Sequence, residues 1–450
     1  MRTRNRNRLV RAGLILSACA LAPSALAVKV INVDSTADEV DDDVGDSICH
    51  TASSHCTLRA AVMQAVHNNP SVTDGVKIIV PAGTYMFSLL RDEGGGQLDI
   101  GLPAAGNPYI EIDGAGVQAT IIDANHIDRA FHVADRVAIL NDLTISNGYT
   151  NDDINGGGGV FNEGALFLGS VVVANNFAAG PGGGVHNAGN LTLNAVSITS
   201  NISDDLGGGI FNDEYLGIAL NGLNMNISTI SSNSALAGGG IYNIVTMVIA
   251  NSTIANNGAD RDGGGIFSST SDQFSVNIYN STIAGNDADQ TRQFGGAGGG
   301  IYSLKPANGG DFNIYNSIVA QNNVSNTPQP DDCFGPISTH ARNRFGSLDN
   351  CAITQISGSY ALLSPNVLGD LQDNGGPTLT IALPFGSNAI DAGDPVKGCR
   401  DINSVPFTTD QRGFIRGAGV CDLGAYEYAA TDPNERIFGS GFETPPPPVH

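Results

Sequence analysis

The chain predicts an all-β fold, a parallel β-helix with three strands and about 25 residues per coil. Two recurrences carry this reading. Three glycines, a β-branched residue and an aromatic or His recur six times, at 157–161, 182–186, 207–211, 238–242, 263–267 and 298–302. Their aliphatic members, Val160, Val185, Ile210, Ile241, Ile266 and Ile301, are 25, 25, 31, 25 and 35 residues apart, so one coil recurs with insertions. Between the triplets lies a segment of eleven positions, at 166–176, 191–201, 223–233, 247–257, 276–286 and 312–322, with an earlier copy at 137–147. Positions one and three are apolar in every copy, the period of a strand. Position eight is Val173, Ile198, Ile230, Ile254, Ile283 or Val319, which marks a third short strand after a bend. Coils stacked at the strand spacing of about 4.8 Å pair each backbone amide with the next coil and line the interior with aliphatic ladders.

Position eleven is always Asn: Asn147, Asn176, Asn201, Asn233, Asn257, Asn286 and Asn322. Asn tolerates a left-handed turn, and its amide can bond to the like amide one coil away, so these residues are read as a structural ladder. The glycine triplets match no Walker or dinucleotide fingerprint and open strands rather than helices. They are read as tight turns where coils crowd together.

Residues 1–27 read as an export signal, with Arg2, Arg4, Arg6, Arg8 and Arg11 before an apolar stretch and Ala25-Leu26-Ala27 at the cleavage site. Leu16-Ser17-Ala18-Cys19 competes as a lipobox. Residues 28–75 form the expected N-terminal cap, with a short amphipathic helix over 58–67 covering the open end of the solenoid. The β-helix spans 76–360, a C-terminal cap 361–428, and a flexible tail 429–450.

Removing the signal leaves 16 basic residues, since five of the 21 precede residue 28, against 44 acidic ones, a formal −28. Nucleic acid and anionic membranes are poor partners for such a chain. No other apolar run is long enough to span a bilayer. Six cysteines remain; pairing neighbours in sequence gives Cys49–Cys56, Cys333–Cys351 and Cys399–Cys421 as disulfides of an exported protein. Capped ends argue against end-to-end polymers and favour a monomer, with the oligomeric state left open. A zinc site from Cys49-His50 and His55-Cys56 is the competing reading at the first pair.

The repeats resemble those of chlamydial polymorphic outer-membrane proteins. Cys49 to Val62, with Cys-Thr-Leu-Arg-Ala-Ala-Val, is similar to the N-terminal domain named for Cys-Ser-Leu-Arg-Glu-Ala, with Ala60 in place of Glu. Asp373-Asn-Gly-Gly-Pro-Thr378, Ala389-Ile-Asp-Ala-Gly393, Asp410-Gln-Arg-Gly413 and Cys421-Asp-Leu-Gly-Ala-Tyr-Glu427 resemble the choice-of-anchor Q domain. Together these resemblances imply a right-handed β-helix on or near a bacterial surface and imply no characterised reaction. The tail is too short for an autotransporter barrel.

Candidate sites follow from loops. Asp152-Asp153, Asp204-Asp205, Asp260 with Asp262, and Asp287 with Asp289 precede glycine triplets and are expected to align as an acidic stripe, with calcium binding, sugar hydrolysis and a solvated face as competing uses. Insertions carry Asp213, Glu214 and Tyr215, and Arg292 with Phe294, the candidate ligand contacts. Asp41, Asp43 and Asp46 loosely suggest a calcium loop. His132 and His186 are read as packing residues. No clustered Arg/Lys motif of the lyase kind is visible. The expected function is therefore an adhesin or envelope-associated module binding a polysaccharide or cell-surface ligand; the alternative is a secreted polysaccharide lyase or glycoside hydrolase, with calcium as its cofactor.

Overall fold

The computed structural model describes residues 28–428 apart from 68–74, 102–108, 135, 214–221, 272–273, 293–294, 305–309, 326–329, 366, 397, 402 and 418–419. The expected signal and tail lie outside the described residues. The chain is a right-handed parallel β-helix. On its glycine face, Val160–Asn162, Val185–Asn187, Ile210–Asn212, Ile241–Asn243, Ile266–Ser268 and Ile301–Ser303 pair in register, each aliphatic residue above the last. All six aliphatic side chains are fully buried in the core, because period-two alternation turns them inward together. A second and a third ladder follow, as in Asn190–Asn194 and Ser197–Thr199. A fourth, two residues wide, runs from Tyr149–Thr150 to Asn323–Val324 just past the turn Asn.

The turn Asn residues are buried and bonded in series. In each of Asn176, Asn201, Asn233, Asn257 and Asn286, both backbone N and Nδ2 donate to Oδ1 of the next coil's Asn at 2.9–3.1 Å. Asp332 closes the series, accepting from Asn322 N at 2.9 Å and Nδ2 at 2.8 Å. The left-handed backbone lies one residue earlier, at Asn175, Ser200, Ser232, Asn256, Gly285 and Gln321. Asn147 is therefore not a ladder member: it is itself left-handed and pairs with Asp123, while the Gly148 amide donates to Asn176 Oδ1. The reason is a one-residue slip of register, which exchanges the two faces of a strand. Ala138, not Val137, stacks on Leu166 and is buried, and Val137 faces solvent. The triplets pack against this ladder. Gly240 is so close that a Cβ would meet Gly265 O at 2.6 Å and Asn257 Nδ2 at 3.0 Å.

The helix Leu58–His67 starts where Thr57 Oγ1 accepts from Ala60 N at 3.1 Å, an N-cap. It packs on the first coil, in which Lys29–Asn32 pairs with Val76–Ile79. All three local cysteine pairs form disulfides, as in an oxidising compartment.

The C-terminal region, expected as a cap, packs along the flank of the solenoid. Gln411 Nε2 donates to Thr229 Oγ1 at 2.8 Å, Arg416 Nη2 to Asn251 Oδ1 at 2.8 Å, and the Gly424 amide to Asn316 O at 2.9 Å. Leu363, Ile381, Leu423 and Tyr426 bury against Ile318 and against Ala255, Ala284 and Ala320, whose small side chains let the strap approach closely.

Asn233→Ala strips four hydrogen bonds from a buried site, so it is expected to cost about 3 kcal/mol. Asn147→Gly keeps the left-handed turn and should cost about 1 kcal/mol or less. Thermal unfolding of the two variants checks this, and equal losses would contradict the ladder boundary.

Burial raises the Asp332 carboxyl to about 6 and the Asp422 carboxyl to about 7. Each contribution to stability is full below the unfolded carboxyl value and is lost as pH rises through the folded one. Lowering pH from 8 to 5 should therefore stabilise the protein by about 4 kcal/mol at these two sites. Melting midpoints at pH 8, 6.5 and 5 that stay flat or fall would contradict it.

Candidate functional site

A polar cleft of about 500 Å³ opens at the N-terminal end of the glycine face, lined by Arg91, Gln97, Arg129, His132, Thr150 and Asp152, with Asn155, Phe161 and Glu163. The coil geometry assembles it from distant segments. Phe131–Val133 pairs with Leu98–Ile100 below and Val160–Asn162 above, so His132 stands between Asp99 and Phe161. The middle residue of each strand points outward, which brings these three side chains to the surface in a column.

His132 lies in plane-to-plane contact with Phe161, centroids 5.2 Å apart at 8°. Its Nδ1 is 3.0 Å from Asp99 Oδ1 and its Nε2 2.8 Å from Glu163 Oε2. Burial lowers its pKa, but the hydrogen bonds to Asp99 and Glu163 outweigh that and raise it above the ordinary His value. Both ring nitrogens are committed, so His132 holds the cleft's shape and charge. The partnerless packing role expected for it does not describe this residue.

Arg129 is 6% exposed, and its guanidinium carbon sits 5.3 Å from the Phe161 ring centre. Nη2 donates to Thr150 Oγ1 at 3.2 Å and lies 3.9 Å from Asp152 Oδ2. Nε is buried without a hydrogen-bond partner. Asp152 Oδ1 accepts from the Ile154 and Asn155 amides at 3.0 and 2.9 Å. Burial raises the Asp152 carboxyl, but these bonds and Arg129 more than offset that and hold it below the usual range. Arg91 reaches in from an irregular upstream coil, tied to Asp128 at 2.6 Å. The result is a wall of alternating ionised donors and acceptors.

The expected acidic stripe is interrupted. Asp152 and Asp204 are separated by a coil carrying Ala179-Gly180, and Asp204 and Asp260 by one carrying Leu236-Ala237. Carboxylates two coils apart are about 10 Å apart. Only Asp260, Asp262 and Asp289 come together: burial and the field of Asp289 raise both Asp260 and Asp262. Asp289 itself is fully buried. Asp287 instead accepts from Ser325 Oγ, and Asp204 is exposed, while burial raises Asp205 beside Tyr242. Asp213 Oδ2 lies 3.7 Å from His186 Nε2, and Arg292 is exposed on a left-handed turn. Glu214, Tyr215 and Phe294 lie outside the described residues.

Among the described residues no three His, Cys, Asp or Glu side chains are grouped as metal ligands. Asp41, Asp43 and Asp46 accept from the Asp43, Gly45 and Ile48 amides at 3.0, 3.0 and 2.8 Å, local turns that aim the three carboxylates at their own backbone.

The outward column continues as His132, Phe161, His186, Phe211, Tyr242, Phe267, Tyr302 and Phe334, with centroids 4.5–5.6 Å apart. Most neighbouring rings cover each other's faces, so the column stiffens the face and presents mainly edges. A sugar-stacking platform needs open ring faces.

No family model and no curated protein matches the chain. The surface families that its motifs resemble are therefore not established as its family. Among solved structures, the crystal structure of pectate lyase Pel9A is similar, with a TM-score of 0.46 and 15% sequence identity over 90% of this chain and 98% of that one. Function rests on the site. Arg91, Asp99 and Glu163 escaped sequence reasoning because none belongs to the repeat pattern; the one available signal was Glu163 two residues beyond Phe161, on the strand face His132 shares.

Glu163→Gln removes one of the carboxylates that hold the His132 proton. Titration of the His132 ring by NMR should give a value above that of a free His in the native chain and a lower one in the variant; an unchanged value would disprove the pairing.

Proposed function

We propose that this is an exported β-helix protein of the cell surface or extracellular space that binds polysaccharide, with the Arg129 cleft receiving a saccharide unit. The carrying observation is the cleft wall itself, where Arg129 Nη2 lies 3.9 Å from the ionised Asp152 carboxylate and both side chains line the cleft. Hydroxyl groups satisfy both kinds of partner at once. Three disulfides support residence outside the reducing cytoplasm. Among the described residues no helix is long and apolar enough to cross a membrane.

Catalysis is the second reading, and one observation favours it. A glycoside hydrolase needs a carboxylic acid that keeps its proton. Asp260 and Asp262 are raised in that sense, whereas Asp99 and Asp152 of the cleft are held low. A hydrolytic site thus belongs to the Asp260 loops, and the cleft to binding.

Mature protein assayed on immobilised polysaccharides, with reducing-end release followed in calcium and in chelator, separates the two. Saturable binding weakened at least tenfold by Arg91→Ala, without release, is expected. Release abolished by Asp260→Asn would install the enzyme instead, and neither binding nor release would overturn both readings.

A further inference from the structure

The charges around the cleft nearly cancel. Arg91 and Arg129, with His132 held between two carboxylates, face Asp99, Asp128, Asp152 and Glu163, so carboxylates outnumber cations whether or not the His132 ring is charged. The expected mature chain as a whole carries a formal −28. An anionic sugar entering here meets Arg129, but also Asp152 and Glu163 in a partly desolvated space where repulsion is weakly screened. A neutral sugar carries no such penalty.

The local geometry also suits hydroxyls. Arg129 Nη2, which donates to Thr150 Oγ1, and Asp152 Oδ2 stand 3.9 Å apart, too far for a hydrogen bond, and both side chains line the cleft. Neighbouring hydroxyl oxygens on a sugar ring are about 2.8 Å apart, the separation over which one hydroxyl accepts from a guanidinium while the next donates to a carboxylate.

Building on the saccharide-binding reading, we infer that the cleft is selective for a neutral, hydroxyl-rich sugar over an acidic one, gripping a vicinal diol between the Arg129 guanidinium at Nη2 and Asp152 Oδ2. Asp152 is the specificity-determining residue. Its charge accepts a hydroxyl proton and repels a uronate or sulfate group.

The test measures binding of the folded, disulfide-intact mature chain to neutral oligosaccharides of glucan, mannan and galactan type, against oligogalacturonate and a sulfated galactan, by calorimetry. At least one neutral ligand should bind ten times more tightly than either acidic one. Asp152→Asn should weaken neutral binding about tenfold and leave acidic binding equal or stronger. Arg129→Lys, which keeps the charge but lacks the planar guanidinium, should weaken neutral binding as well, with melting curves confirming that both variants fold. Preference for an acidic ligand overturns the selectivity while leaving a saccharide site. Failure of every ligand removes the saccharide site and this inference with it.

Discussion

Parallel stacking leaves each coil with turns whose backbone groups no strand partner reaches, and the buried Asn ladder is what supplies those partners. Each ladder Asn accepts from the coil before it and donates to the coil after it, so its side chain performs the work of two missing peptide groups. A buried amide left without a partner costs about 1–3 kcal/mol. The ladder therefore fixes the coil spacing at the turn, and the turn in turn positions the glycine triplet lying against it. The outward residue of the glycine-face strand inherits that spacing, which is why rings follow one another there at 4.5–5.6 Å.

The strap imposes a second constraint of different character. A solenoid whose coils contact only their neighbours gains stability coil by coil and can fray from either end. Residues 363–428 cross several coils at once. Gln411 touches Ser228, Thr229 and Thr378, and Arg416 reaches Asn251, so opening of any one coil under the strap disturbs contacts to others. Buried pairs such as Arg412 with Asp410 and Arg416 with Glu427 are poor sources of net stability, because desolvation offsets attraction. Their contribution is geometric: a guanidinium with fixed partners seats the strap in one register.

Much of this architecture was legible in the chain because it is periodic. Val160 through Ile301, the triplets and all ladder Asn residues but Asn147 recur at spacings that only stacked coils explain. Asn147 misled because Val137 and Ile139 imitate the apolar alternation that Ala138 and Leu140 in fact satisfy, and a small Ala gives a weak signal. The docking of the strap was illegible for another reason. Its motif residues Asp410, Gln411, Arg412 and Glu427 form contacts up to 183 residues away, and no local pattern encodes such a partner. The cleft failed likewise: its members come from three coils, one of them irregular.

The same periodicity explains why the cleft sits where it does. Along most of the glycine face each outward position is filled by a ring resting on another ring, and the column closes itself to ligands. At the coil of Leu98–Ile100 the ring is replaced by Asp99, so the column ends in His132 and a carboxylate. An unmatched end in a self-stacking array leaves polar groups that the array cannot satisfy. Here Arg129 is drawn over Phe161 and pinned by Thr150, with its Nε facing no acceptor. A buried donor of that kind represents unspent interaction energy of about 1–3 kcal/mol.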